Sequence, residues 1–171
     1  MSKQDNNARV ISCYTDASYS KEVGGSVIGY KIGDGEVQTL FLLNVKNTEA
    51  EITAVQRCID TVVNGYDNML DNNPTNPVND YEIHIYTDCQ RVVQKFEDGE
   101  YPYNVEVRKM IGHMKKADKD HNQLIFTQVD RATRKELRKR LKTVRLVNIA
   151  RSNVVEQENS GDSEVSDNDN D

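Results

Sequence analysis

The sequence predicts an α/β domain built on a five-stranded mixed sheet flanked by helices. Near the start of the chain, runs of β-branched and aromatic residues are joined by the short turn GDGE, which is typical of an antiparallel meander. Further along, strand-like runs alternate with helical segments, which favours parallel pairing within the same sheet. A chain of 171 residues is long enough to bury one core without disulfide bonds.

The predicted elements follow the order βββ, α, β, α, α, β, α. Apolar residues at helical spacing from Ala50 to Val63 predict the first helix at about 49–64. The other elements follow from β-branched runs, helical spacing and turn residues. They are strands at 9–16, 25–32 and 37–46, an exposed loop at 67–80, a strand at 81–87, helices at 89–97 and 104–118, a strand at 123–129 and a closing helix at 133–150.

Charge divides the chain into a nearly neutral body and an acidic tail. Residues 156–171 hold seven acids and no Lys or Arg, and the remaining 155 residues hold 21 acids (28 minus 7) and 22 bases. We therefore predict one domain at 9–150, between a disordered N-terminus at 1–8 and a disordered acidic tail at 151–171. Residues 131–151 carry nine bases and one acid, which suits either a solvated helix face or a surface that contacts phosphates.

The cysteines and the hydropathy pattern bear on the cellular location of the protein. Cys13, Cys58 and Cys89 show no CxxC spacing and leave an odd count, which fits buried thiols in a reducing environment better than a disulfide framework. The first residues contain no apolar signal core, and no run reaches the roughly 18 apolar residues of a membrane span. We expect a cytoplasmic protein with no membrane segment.

Three acids interrupt apolar patterns. Asp16 and Asp88 each end a predicted strand, and ligand sites in such sheets gather at the carboxyl ends of strands, so we expect both on one rim. Glu51 lies on the apolar stripe of the first helix, where an acid needs a partner. Three neighbouring carboxylates repel one another unless divalent cations neutralise them, and oxygen ligands favour Mg²⁺ or Mn²⁺.

Each acid also has a simpler explanation. Asp88 could cap the helix that follows it, and Glu51 could form a capping box with Thr48. Asp16 could lie in a turn formed by the sequence DASYS. None of these alternatives predicts a shared metal site.

Three motifs, taken together, resemble the type 1 ribonuclease H family in its compact, reverse-transcriptase-like branch. YTDASYS followed by GGSVIGY is similar to the family's first-strand aspartate and glycine-containing second strand. NTEAEITAV is similar to the start of its first helix, which maps the catalytic glutamate onto Glu51. YTDCQRVVQKF is similar to its second-aspartate motif, with Cys89 in place of the usual serine. The resemblance covers residues 9–150 and implies a ribonuclease H-like fold.

The resemblance also implies an activity. In that family, two Mg²⁺ or Mn²⁺ ions support hydrolysis of the RNA strand of an RNA/DNA hybrid. Transferred to this chain, the metal ligands and catalytic residues are Asp16, Glu51 and Asp88. The expected partner is an RNA/DNA hybrid, recognised through 2′-hydroxyls and phosphates.

Candidate nucleic-acid contacts come from two segments. Asn47 matches the family's asparagine before the first helix and suits a sugar or base-edge contact, although an ordinary helix cap is an equal alternative. The basic segment supplies Arg131, Arg134 and Lys135 as candidate phosphate contacts.

The closing segment departs from the family's pattern. VDRATRKELRKRLK keeps Val129 and Arg131 but places Arg138 where the family has an aspartate. Two interpretations stay open: Glu136 or Asp130 replaces the missing carboxylate in an active nuclease, or the protein is a catalytically weak or inactive nucleic-acid-binding module. We predict that Glu136 is the fourth catalytic residue, since it lies in the first turn of the predicted closing helix, where a carboxylate is favoured. About 200° of helix separates Glu136 from Arg138, so only one of the two can face the site.

Overall fold

The computed structural model describes residues 9–70, 81–97, 104–112 and 114–160. Within them the elements are β1 Arg9–Ser20, β2 Gly25–Ile32, β3 Gln38–Leu43, α1 Asn47–Leu70, β4 Tyr81–Thr87, α2 Gln90–Glu97, β5 Val105–Lys109, a 3₁₀ turn Lys116–Asp118 and α3 His121–Ser160. The predicted disordered N-terminus at 1–8, residues 161–171 of the predicted disordered tail and residues 71–80 of the predicted loop lie outside the described residues. Residues 67–70 of that predicted loop instead belong to α1.

The five strands form one sheet in the order β3-β2-β1-β4-β5. β1, β2 and β3 pair antiparallel as a meander, while β1 pairs with β4 and β4 with β5 in parallel. The predicted α/β class with a mixed five-stranded sheet is therefore confirmed. The arrangement is compatible with a ribonuclease H-like fold but is not specific to it.

Helices cover both faces of the sheet. Alternate residues of β1 and β4, including Cys13 and Ile85, meet apolar residues of α1 and α2 on one face. On the other face, Tyr14 and Tyr86 stack with ring centroids 5.1 Å apart and pack against the start of α3. The Tyr14 hydroxyl donates a hydrogen bond to Asn122 Oδ1 at 2.7 Å, which fixes the first turn of α3 against the central strand.

The fifth strand comes from a segment that was predicted to be helical, so the predicted helix at 104–118 is wrong. Val105 and Val107 pack against the core beneath α1 and α2. The alternate residues, Glu106 and Arg108, form an ion pair with each other at 2.6 Å. This alternation has the period of two that strands require. Five residues are too short a run to outweigh the helix-forming residues around them in a sequence pattern.

The predicted strand at 123–129 is also wrong, because α3 begins earlier than expected. Asp120 Oδ1 accepts a hydrogen bond from the Gln123 backbone N–H at 2.8 Å, which is an N-cap. Phe126, Val129 and Thr133 are then buried at helical spacing.

α3 also continues further than expected. Its sequence from residue 121 to residue 160 contains no Gly or Pro, the two residues that most readily end a helix. Residues 151–160, predicted as the start of the disordered tail, therefore belong to this helix. Among the described residues, no helix is both long and apolar enough to cross a membrane.

Candidate metal centre

Three carboxylates converge at one end of the sheet. Asp16, Glu51 and Asp88 each offer an oxygen, and these oxygens all lie within 4.8 Å of one another. The parallel register of β1 and β4 explains two of them: Tyr14 is opposite Tyr86, and each aspartate follows its tyrosine by two residues. The N-terminal end of α1 adds Glu51 from the helix that packs beside β1 and β2.

Asp16 lies within β1, not at its end, because the strand continues to Ser20. Its side chain is buried, and Thr133 of α3 donates a hydrogen bond to Asp16 Oδ2 at 2.7 Å. Gly29 lies opposite Asp16 in β2, and a Cβ there would come within 2.5 Å of Thr133 Cγ2. The absence of a side chain at Gly29 therefore lets α3 approach closely enough to hold Asp16.

Burial raises the proton affinity of the cluster. Burial raises the pKa of Asp16 from 3.8 to about 7, with smaller contributions from Asp88 and Asp130, against the lowering effect of the Thr133 hydrogen bond. The pKa of Glu51 is raised from 4.5 to about 9, mainly by burial and to a smaller extent by repulsion from Asp16 and Asp88. In the absence of cations, the raised pKa values of Asp16 and Glu51 favour the protonated forms of their carboxyl groups.

The donor set fits a hard divalent cation. Glu51 Oε2 is buried and has no hydrogen-bond partner among the described residues. A buried polar atom of this kind calls for an explanation, and a cation among three carboxylate oxygens supplies one. The capping alternatives account for Asp88 and Glu51 less well, because Lys46 rather than Thr48 holds the N-cap position of α1, and Cys89 rather than Asp88 holds that of α2. The cluster could therefore hold a metal ion.

A cleft opens beside the cluster. Its volume is about 310 Å³, and its charged lining combines two acids with three bases: Asp88, Asp130, Lys119, Arg131 and Arg134. One acid and one base already pair across a helical turn, with Arg134 Nε 2.7 Å from Asp130 Oδ1. The opening therefore offers positive side chains next to the carboxylate cluster.

The candidate fourth carboxylates lie on different sides of α3. Asp130, one turn before Thr133, lines the cleft and helps to raise the pKa of Asp16. Glu136, one turn after Thr133, forms ion pairs with Lys139 at 3.2 Å and Arg140 at 3.4 Å, in a separate pocket. The structure therefore groups Asp130, but not Glu136, with the cleft, and the catalytic role of Glu136 stays a prediction.

The predicted nucleic-acid contacts are dispersed. Asn47 is exposed at the first residue of α1, with φ near 30°, a left-handed conformation that asparagine tolerates better than most residues. Arg131 is exposed and lines the cleft, Arg134 is paired with Asp130, and Lys135 is exposed. Of these four predicted contacts, only Arg131 and Arg134 line the cleft beside the carboxylate cluster.

Two contributors to the site were missed from the sequence. Thr133 had no polar-site signature, since its position in the buried helical stripe predicts only a core residue. Gly29 could have been found, because a glycine inside a predicted strand indicates a close approach by another part of the chain.

Comparisons with known proteins identify no family. Scans against protein-family models find no match, and a search of curated protein sequences finds none. The resemblance carried by the three motifs therefore stays a prediction.

Proposed function

We propose that this chain is a metal-dependent endonuclease that cleaves the RNA strand of RNA/DNA hybrids. The observation that supports this most is the group of three carboxylate oxygens within 4.8 Å of one another. One of these acids, Glu51, keeps a buried oxygen that has no hydrogen-bond partner within the described part of the chain. Carboxylates this close repel one another unless protons or cations intervene. A divalent cation site beside a partly basic cleft suits chemistry on phosphodiesters.

The proposed mechanism assigns a role to each residue of the cluster. Two Mg²⁺ or Mn²⁺ ions held there would supply Lewis-acid activation of an attacking water and stabilisation of the leaving 3′ oxygen. Asp16 would be the central ligand, fixed in place by the Thr133 hydrogen bond. Glu51 would contribute its unpartnered buried oxygen, and Asp88 would bind at the edge of the cleft. The products would carry a 5′ phosphate and a 3′ hydroxyl.

The cleft would hold the substrate. Lys119, Arg131 and Arg134 place positive charge where phosphates would approach Asp88. The motif resemblance favours an RNA/DNA hybrid, whose 2′-hydroxyls distinguish the RNA strand. Exposed Asn47, on the same end of α1 as Glu51, would reach a sugar or base edge.

Matched duplexes test this proposal. Labelled hybrid, duplex RNA and duplex DNA of one sequence are incubated with the full chain, with Mg²⁺ or with EDTA. We expect cleavage of the hybrid's RNA strand with Mg²⁺ only, and its loss in Asp16→Asn and Asp88→Asn. Asp60→Asn removes an exposed acid of α1 outside the cluster and should cleave normally. If Asp16→Asn cleaves at the wild-type rate, the carboxylates do not share a catalytic metal site.

A second candidate is a nucleic-acid-binding module that cleaves weakly or not at all. The Asp130–Arg134 ion pair favours it, because a fixed guanidinium neutralises the α3 carboxylate that lines the cleft. In this case the hybrid binds with Mg²⁺ or EDTA and remains intact over long incubation. Arg134→Ala would then raise cleavage by freeing Asp130, whereas under the first candidate it would only weaken binding.

A further inference from the structure

The bases of α3 separate into paired and unpaired residues. Each paired base contacts a carboxylate of the same chain: Arg134 with Asp130, Lys139 and Arg140 with Glu136, and Arg145 with Glu22. Arg140 also lies over the Phe41 ring at 4.3 Å. The carboxylates in these contacts partly neutralise the paired bases.

Five bases of α3 have no such contact within the part of the chain that the structure describes. One of them, Arg151, lies at the same angle around the helix as Thr133, and the other four follow a different pattern. Arg131, Lys135, Arg138 and Lys142 are exposed and make no hydrogen bond or ion pair with any part of the chain that the structure describes. We call these four residues the outer basic row. Relative to Thr133, which faces the sheet, all four lie about 140–200° around the helix. They therefore form one line along the side of α3 opposite the sheet.

The outer basic row has a defined length and a defined start. Arg131 and Lys142 are 11 positions apart in the sequence, which corresponds to about 16 Å of helix. The row begins at the carboxylate site, because Arg131 also lines the cleft beside Asp88. It stops at Lys142, since Leu146 and Ile149, the next residues on this side, are apolar and exposed.

We propose that the outer basic row binds the phosphate backbone of a nucleic-acid strand that continues from the cleft along α3. The inference deepens the proposed function and rests on it for the choice of partner. Each strand of duplex DNA advances about 3.4 Å along the duplex axis per nucleotide, so a 16 Å row covers the axial length of about five nucleotides. Exposed bases without intramolecular acids lose no internal ion pair when they bind phosphates. The row contacts backbone alone and therefore adds affinity without sequence preference.

The test measures binding without hydrolysis. A fluorescein-labelled RNA/DNA hybrid is titrated with the full chain in EDTA, by anisotropy, over a series of salt concentrations. The row variant combines Arg131→Gln, Lys135→Gln, Arg138→Gln and Lys142→Gln. We expect at least a tenfold loss of affinity at about 50 mM salt. Each phosphate contact contributes about 0.9 to the slope of log affinity against log salt, so the slope should fall by about three to four.

The matched control loses the same charge elsewhere. It replaces four exposed bases of β1, α1 and α2 by glutamine: Arg9, Arg57, Arg91 and Lys95. Because the net charge changes equally, any loss from general attraction appears in both variants. We expect the control to stay within about threefold of wild type. A charge-retaining variant, Arg131→Lys with Arg138→Lys, should bind as wild type and shows that the row acts by charge.

The outcomes separate this inference from the nuclease proposal. Wild-type affinity in the row variant, or an equal loss in the control, overturns the row as a binding surface. Polyglutamate that competes with the hybrid as strongly as unlabelled DNA also overturns it, because the row would then suit an acidic protein segment. If the hybrid binds through the row but is not cleaved with Mg²⁺, the result supports the row as a binding surface and contradicts the nuclease proposal. If the row variant cleaves the hybrid with an unchanged KM, the result supports the nuclease proposal and contradicts the row as a binding surface.

Discussion

Replacing Asp16 by asparagine should stabilise the metal-free protein at alkaline pH. The pKa of Asp16 is raised to about 7, mainly by burial, so the folded state holds a proton that the unfolded chain releases near pH 3.8. Between these values the folded state binds more protons, and its stability falls as the pH rises. Asparagine accepts the same hydrogen bond from Thr133 but carries no charge at any pH.

The size of this effect follows from the same pKa. A tenfold change in proton affinity corresponds to about 1.4 kcal/mol, so the rise from 3.8 to about 7 sets a ceiling of about 4 kcal/mol for Asp16→Asn near pH 8. Movement of the carboxylates and entry of water lower the cost of the buried charge, so we expect Asp16→Asn to raise the free energy of unfolding by about 1–3 kcal/mol. The advantage should disappear near pH 4. Saturating Mg²⁺ should stabilise wild type near pH 8 but not the variant.

Urea unfolding in EDTA, at pH values from 4 to 9, measures this difference between variant and wild type. The gain in free energy of unfolding from Asp16→Asn should level off above pH 7. The corresponding gain from Glu51→Gln should grow up to about pH 9, because the pKa of Glu51 is raised further. Asp60→Asn, at an exposed position of α1, is the control and should show no such trend. A difference between Asp16→Asn and wild type that does not change with pH would refute the closely packed carboxylate cluster.

Three further predictions concern the contacts between α3 and the cluster. Gly29→Ala would place a Cβ within 2.5 Å of Thr133 Cγ2, and urea unfolding should show a loss of about 1–3 kcal/mol. Thr133→Val removes the 2.7 Å hydrogen bond to Asp16 and should weaken Mn²⁺ binding measured by calorimetry, whereas Thr133→Ser should preserve it; equal weakening by both would indicate a packing role alone. Asp130→Asn should lower hybrid cleavage more than Glu136→Gln, because only Asp130 lines the cleft. A larger effect of Glu136→Gln in the same rate assay would restore Glu136 as the fourth carboxylate.

The convergence of the three acids could be predicted because each one breaks an apolar pattern. Asp16 and Asp88 follow β-rich runs, and parallel pairing of those runs brings them to one level without knowledge of any loop. Glu51 lies on the apolar stripe of a helix, where a lone acid needs a partner. These signals are local, and each depends on only one element being assigned correctly.

The part of the site that α3 contributes could not be predicted in the same way. The sequence pattern started the closing helix at residue 133, which placed Glu136 in its first turn and Asp130 in a loop. The actual helix begins at His121, since Asp120 caps it, so Asp130 lies within the helix beside the cleft. The Thr133 contact also depends on the space at Gly29, which only the packing of helix on sheet reveals.

Mn²⁺ binding to the metal-free protein tests the central claim, a shared metal centre, most directly. Free Mn²⁺ is followed by electron paramagnetic resonance as wild type, Asp88→Asn and Asp60→Asn are added, each at the same concentration. We predict that wild type and Asp60→Asn bind the ion saturably and release it to excess Mg²⁺, and that Asp88→Asn loses this binding. Identical titration curves for wild type and Asp88→Asn would contradict a metal centre formed by the three carboxylates.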